Sequence, residues 1–243
     1  MSLPIALQLW SVQLGEDKDI FATLEKVAEI GFDGVEMAGF FGKTAVEIKE
    51  KADELGLKIA GAHTPYDQII GNTEQVIADM LALGSPYVIC PYATFDNVDQ
   101  WLDLIKELAA LKPQIEAAGL QLLFHNHAEE FQEVDGRHLM DIIMDNMTAG
   151  EFDTYWIEFA GLSAVEYLKK YNGRVPLVHI KDLDETRSKS TVVGEGILDI
   201  DGIVKQAKAI GTKWLVLEQE QFTKDQFESV AEGLVNLKRI NQG

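Results

Sequence analysis

The residues able to do chemistry in this chain come in short, spaced groups. They are His63, His125-Asn126-His127, Asp153, His179-Ile180-Lys181-Asp182 and Glu218-Gln219-Glu220. Three groups put titratable residues two apart: His125 with His127, His179 with Lys181, and Glu218 with Glu220. Successive side chains on a β-strand point to opposite faces, so residues two apart share one face. Imidazoles and carboxylates brought to one point suit a divalent metal ion. Gln8, Trp10, Glu36, Tyr92 and Trp156 are further candidates to line a site.

Several candidates have a purely structural explanation as well. Glu36 reads equally as a helix cap or a loop charge, His63 before Thr64-Pro65 as a satisfied core histidine, and Asp153 as a turn residue. Trp10 and Trp156 serve as packing residues as readily as a platform for a sugar's apolar face. Asp182–Glu185 reads as a solvated loop, and Asp199–Asp201 as acids favoured at a helix N-terminus. Glu218 is different, because it follows the apolar run Leu215-Val216-Leu217 and a buried carboxylate is costly without a partner. The same argument applies to His179 within Leu177–Asp182.

The elements that must position these residues alternate regularly. Apolar runs at 5–10, 35–37, 57–62, 87–90, 120–124, 150–157, 175–181 and 214–217 read as strands. Amphipathic stretches at 20–30, 43–55, 73–83, 96–118, 136–146, 162–171, 199–210 and 223–240 read as helices, several of them stopping at a glycine such as Gly31 or Gly119. Eight repeats in 243 residues are about 30 residues each, the size of a βα unit. The expected architecture is a single (β/α)₈ TIM barrel over residues 1–243. An open doubly wound sheet ranks lower, because Leu9-Trp10-Ser11-Val12 after the first strand is no glycine-rich nucleotide loop. In such barrels the active site lies at the C-terminal mouth of the strands, where four of the five histidines fall.

Charge and composition exclude other classes. Lys plus Arg total 21 against 40 Asp plus Glu, a net charge of −19 that repels nucleic acid and anionic lipid. A lone cysteine, Cys90, fits a reducing compartment. No apolar run approaches a membrane span of about 20 residues, and the start Met1-Ser2-Leu3-Pro4 does not read as a signal peptide. The expectation is a cytoplasmic protein that binds neither nucleic acid nor membrane.

At these residues the chain resembles the sugar phosphate isomerase/epimerase family, with its xylose isomerase-like barrel. The resemblance rests on Gly31-Phe32-Asp33-Gly34-Val35-Glu36, on Leu120–His127 with Glu130-Phe131, on Phe152-Asp153-Thr154-Tyr155-Trp156, on His179-Ile180-Lys181-Asp182, on Val193-Gly194-Glu195-Gly196, and on Leu217-Glu218-Gln219-Glu220. Relatives resembling inosose dehydratases and ketose 3-epimerases hold one divalent metal with Glu, Asp, His and Glu from the fifth to eighth strands. The resemblance implies His125, Asp153, His179 and Glu218 as ligands of Mn²⁺, Mg²⁺, Co²⁺ or Zn²⁺, with His125 where the family carries a glutamate. It implies Glu218, His125 and Lys181 as catalytic residues. Trp10, Glu36, His63, His127, Trp156 and Glu220 are implied to bind the sugar or polyol. The implied activity is isomerisation or epimerisation through an enediolate. Because one of two carboxylate bases has become imidazole, dehydration or keto-glycoside elimination is the runner-up, and a non-catalytic sugar-binding barrel is the alternative of another class. The DNA-repair endonuclease branch needs three metals and a basic face, which five histidines and a charge of −19 argue against. The loop at 193–196 lacks a basic cradle, which favours a neutral sugar over a sugar phosphate. Barrels of this type often pair through helices, so a homo-oligomer is compatible with the reading.

Overall fold

The computed structural model describes residues 2–12 and 19–243. Among them, eight parallel strands carry the architecture: β1 Ile5–Gln8, β2 Gly34–Met37, β3 Lys58–Ala62, β4 Tyr87–Cys90, β5 Gln121–His125, β6 Ala149–Asp153, β7 Leu177–Ile180 and β8 Trp214–Leu217. Their order is β3-β2-β1-β8-β7-β6-β5-β4, and a parallel bridge between His63 and Ile89 joins β3 to β4. Sequence neighbours are therefore spatial neighbours all round the ring, as in a TIM barrel. Helices α1 Ile20–Ile30, α2 Ala45–Glu54, α3 Tyr66–Gly71, α4 Thr73–Leu83, α5 Val98–Ala117, α6 Leu139–Asn146, α7 Thr154–Phe159, α8 Ala164–Lys170, α9 Ile200–Ala209 and α10 Gln226–Gln242 follow the strands.

The barrel interior shows how an apolar sequence pattern lifts polar groups to one end. Ala6, Ala60, Tyr87, Ile89, Leu123, Ala149, Leu177 and Val216 form a buried inner cluster. Two residues further along several strands the same inward face becomes polar: Ala6 gives way to Gln8, Leu123 to His125, Ala149 to Glu151, Leu177 to His179 and Val216 to Glu218. Register then sets them side by side, with Gln8 opposite Glu36, His125 opposite Glu151, and Asp153 and Val216 both opposite His179. A second, larger apolar cluster fills the space between strands and helices.

The structure departs from the sequence reading at several points. The expected first strand, 5–10, ends at Gln8, whose side-chain oxygen accepts from the Trp10 amide and starts a 3₁₀ turn over Leu9–Ser11. The stretch 150–157 is a strand only to Asp153. There the Asp153 carboxylate accepts from the Tyr155 and Trp156 amides and opens α7, capping a helix in a run of β-favouring residues. The short helix α3 has no counterpart in the expected pattern.

Outside the barrel, Asp141 ties α6 to α8. Its carboxylate accepts from the hydroxyls of Tyr167 and Tyr171, both at 2.6 Å, and from the Lys170 ammonium at 2.7 Å. Burial alone would raise the Asp141 carboxyl, but Lys170 and the two tyrosines outweigh it and hold it below the usual range. The stability this contributes is present above the ordinary aspartate value of about 3.9 and is lost as pH falls through the lower folded-state value. Asp141→Asn should therefore lower the melting temperature at neutral pH and flatten its fall on acidification. Melts of both proteins from about pH 7 to about pH 2.5 check this, and parallel curves would contradict it.

Candidate functional site

The strand ends deliver a connected set of imidazoles and carboxylates. His179 stands at the centre and is fully buried. Its Nδ1 lies 3.0 Å from Glu218 Oε2, and its Nε2 lies 2.7 Å from Glu36 Oε2. Glu36 also accepts from Gln8 Nε2 at 2.7 Å. Glu151 Oε2 lies 2.7 Å from His63 Nε2 and 3.1 Å from His125 Nδ1. The His125 ring centroid is 4.5 Å from that of His179, and the His63 ring stacks on His179 at 5.8 Å. Asn126 locks β5 to β6: its amide nitrogen donates to the Asp153 carbonyl and its oxygen accepts from the Asp153 amide, both at 3.1 Å.

Gly61 makes room for this arrangement. A Cβ there would stand 2.5 Å from Glu36 Oε1 and 2.7 Å from Ile89 Cδ1. Gly61→Ala should cost on the order of 1–3 kcal/mol through overpacking. Denaturant melts measure this, and a variant within about 0.5 kcal/mol of wild type would show that the barrel relaxes freely around Glu36.

Lys181 brings a positive charge to the same place. Its ammonium is buried, 3.0 Å from Asp153 Oδ2, 3.3 Å from Glu218 Oε2 and 2.8 Å from Glu220 Oε1. The rings of Tyr155 and Trp156 lie 5.2 and 5.1 Å away, within cation–π range. Asp153 Oδ2 makes no well-directed hydrogen bond among the described residues, so it meets Lys181 chiefly as a charge.

These neighbours divide the ionisation states. Burial and the negative charge of Glu151 push the Glu36 carboxyl up to about 7. Burial would also raise Glu151, but the charges of His179 and His63 hold it well below the carboxylate range. Glu218 is likewise held well below despite burial, by Lys181 and His179. Asp153, raised by burial and by Glu218 against the pull of Lys181, reaches about 6. Burial disfavours a charge on His179, but Glu151 and Glu36 reverse this and favour its protonated form. His125, desolvated and beside His179, is held neutral, the form in which imidazole ligates metal.

The donor set fits a divalent ion. One ligand atom each from His125, Asp153, His179 and Glu218 lies within 4.8 Å of the others, all four residues are buried, and the mix of nitrogen and oxygen suits Mn²⁺, Co²⁺ or Zn²⁺. Asp153 Oδ2 supplies a buried oxygen lacking a directed partner. A cavity of about 610 Å³ opens above it, lined by Trp10, His63, Tyr92, His125, His127, Glu218 and Glu220 at the reacting end and by Phe40, Phe41, Pro65 and Met80 further out. In the loop after β7 three backbone amides are already engaged. The amides of Gly194, Gly196 and Leu198, at 2.9, 3.0 and 3.2 Å, all donate to the Asp182 carboxylate. Gly196 is required there, since a Cβ would fall 2.3 Å from Asp182 Oδ1.

The residues singled out from sequence separate into three groups. His125, Asp153, His179 and Glu218 come together with Lys181. Trp10, His63, His127 and Glu220 line the cavity, with Trp10 52% exposed. Glu36 stands behind His179, fully buried and away from the cavity lining, and Trp156 packs against Lys181 and His127. Sequence reasoning passed over Glu151 and named Gln8 only as a candidate to line the site. Glu151 was legible as the residue two before Asp153, on the same face. Gln8 had no comparable signal, because its partners Glu36 and His63 are far along the chain.

Known proteins share this arrangement of chain. An inosose dehydratase of Clostridium botulinum (strain Alaska E43 / Type E3) is 27% identical, across 86% of this chain and 84% of its own. A sugar phosphate isomerase/epimerase of Parabacteroides distasonis ATCC 8503 superposes with a TM-score of 0.84 at 25% identity, covering 98% of both chains. The 3-keto-D-glucoside 4-epimerase of E. coli shares the fold, with a TM-score of 0.74 at 19% identity over 98% of this chain and 99% of that one. Residues 24–240, nearly the whole ring of strands and helices, match the xylose isomerase-like TIM barrel family, and to that family this chain belongs.

Proposed function

We propose that the protein is a metal-dependent enzyme that removes a proton beside the carbonyl of a neutral keto-sugar or keto-polyol. The observation that carries this is the buried meeting of Glu218 with His125, Asp153, His179 and Lys181 beneath an open cavity. A divalent ion on His125, Asp153, His179 and Glu218 would polarise the substrate carbonyl and stabilise the negative charge that develops on its oxygen.

The chain's own residues supply the rest. Glu218, kept ionised by Lys181 and His179, takes the proton from carbon. The C–H electron pair becomes the carbon–carbon double bond of an enediolate, and the carbonyl oxygen gains the charge. Lys181, 3.3 Å from Glu218, neutralises that charge without leaving its carboxylate partners. His63, His127 and Glu220 at the cavity wall bind hydroxyls, and Trp10 covers the apolar face of the ring. Return of the proton to the opposite face gives epimerisation; return to the adjacent carbon gives isomerisation. The occupied amides of Gly194 and Gly196 support a substrate without phosphate.

The asymmetry of the bases favours a second reading. Glu218 faces an imidazole, His125, where two carboxylates would serve epimerisation. With one carboxylate base, the enediolate can instead expel a β-hydroxide, which leaves as water with the proton first removed. The similarity to inosose dehydratases supports this outcome.

Incubation of the protein and Mn²⁺ with inososes, ketoses and 3-keto-glycosides in D₂O tests the proposal. Deuterium at the carbon beside the carbonyl is the expected result, and a double bond in the product marks elimination. Sugars that raise the melting temperature with neither exchange nor metal uptake would show a binding barrel instead.

A further inference from the structure

We propose that His63, His125, Glu151 and His179 bind a divalent cation of their own, deeper in the barrel than Asp153 and Glu218. One ligand atom from each of these four residues lies within 4.8 Å of the others, and three of the four are fully buried or nearly so. Glu151 lies two residues before Asp153 and pairs in register with Leu177, so it starts one side-chain layer further in. Its Oε2 gathers three imidazoles, at 2.7 Å from His63 Nε2, 3.1 Å from His125 Nδ1 and 3.5 Å from His179 Nε2.

The remaining oxygen of that carboxylate points to a ligand. Glu151 Oε1 is buried with no hydrogen-bond partner among the described residues, and Glu36 Oε1 alongside it is in the same state. Buried carboxylate oxygens are rarely left so, because desolvation without a partner is costly. Among the described residues, Glu36, Glu151, Asp153, Glu218 and Glu220 stand against one lysine ammonium, Lys181, in this cluster. One divalent ion at the outer set leaves the inner pair, Glu36 and Glu151, facing only imidazoles and the Gln8 amide among the described residues.

His179 can serve both positions as a bridging imidazolate, its ring protons released to solvent as the two ions bind. Its Nδ1 edge faces Glu218 of the outer set, and its Nε2 edge faces Glu36 and Glu151 of the inner one. The inner set is also chemically different. Three imidazoles and one carboxylate favour Zn²⁺ or Co²⁺, whereas the oxygen-richer outer set accommodates Mn²⁺ or Mg²⁺ more readily. The inference is independent of the catalytic proposal except that His125 and His179 are shared and that His63 also lines the substrate cavity.

Metal content after equilibrium dialysis against Zn²⁺ or Co²⁺ tests it without an activity assay. The wild-type chain should retain about two equivalents, while His63→Gln and Glu151→Gln should each retain about one. In the Co²⁺ protein both variants should lose part of the visible ligand-field absorption. Asp153→Asn and Glu218→Gln probe the outer set and should spare the inner equivalent. Circular dichroism of the metal-free proteins confirms that each variant is folded, and Glu151→Gln keeps the shape of the side chain it replaces. If His63→Gln and Glu151→Gln retain the full wild-type content, the inner site is refuted, whatever the outer variants do. If only the Asp153 and Glu218 variants keep the wild-type content, the inner site stands and the catalytic metal assignment falls.

Discussion

Replacing Lys181 by methionine should destabilise the protein by about 3–5 kcal/mol, the usual cost of removing one partner from a buried ion pair. The effect follows from what would be left behind. Asp153, Glu218 and Glu220 all meet the ammonium within 3.3 Å, and Asp153 and Glu218 are almost fully buried. Methionine keeps most of the lysine stem's volume, so the loss reports the charge rather than a cavity. For a chain of this size the change corresponds to a fall in melting temperature on the order of 10 °C. The sign of the rescue is the more telling part. A divalent ion binding Asp153 and Glu218 restores positive charge where it was removed, so added Mn²⁺ should raise the variant's melting temperature more than the wild type's. A variant within about 2 °C of wild type would mean that water or a proton already screens these carboxylates.

That expectation rests on contacts that no local reading of the chain supplies. The two-residue spacings at His125/His127, His179/Lys181 and Glu218/Glu220 were visible because strand geometry makes period two a statement about facing. The barrel followed from eight apolar runs, each leading into an amphipathic stretch, and the family match over 24–240 agrees with it. The helix at Thr154–Phe159 was hidden for a local reason. Tyr155, Trp156 and Ile157 favour strands, and only the capping carboxylate of Asp153, folded back on their amides, reverses the preference. The role of Glu151, legible only as an acid on the same strand face as Asp153, was hidden for a non-local one. Its partner His63 lies 88 positions away, and pairing at that distance leaves no trace in composition or periodicity. The role of Glu36 was obscured in the same way, since its partner His179 is 143 positions away. A lone acid after a strand reads as a loop charge until the barrel closes and sets an imidazole against it.

The loop at 193–196 was read for its charge, whereas its chemistry lies in the backbone. Glycine amides at that position of a barrel commonly receive phosphate. Here Asp182 takes them, filling from within the protein the place an anionic ligand would occupy. The same carboxylate orders the segment that follows β7, through the amides of Gly194, Gly196 and Leu198. Burial lifts the Asp182 carboxyl above its ordinary range, and four backbone amides offset part of that rise.

Glu218→Gln should reduce carbon-bound deuterium exchange by about 10²–10⁴-fold, the range expected when a positioned general base is removed. The amide keeps the shape of the side chain and its contact with His179, but it cannot accept a proton from carbon. Glu220→Gln is the matched comparison. It too meets Lys181, at 2.8 Å, and lines the cavity, yet it is not among the four donors gathered with His125, Asp153 and His179. Its loss should weaken substrate binding and raise KM with a much smaller change in kcat, because a wall contact made equally before and during reaction does not alter the barrier from the bound state. Equal losses in the two variants would place the base elsewhere. Full exchange in Glu218→Gln would remove Glu218 from the chemistry and leave His63, His125, His127 or Glu220 as the cavity residues able to accept the proton. Metal content measured alongside separates the two ways Glu218→Gln can fail. Loss of exchange with the metal retained points to the missing base, and loss of both points to the missing ligand.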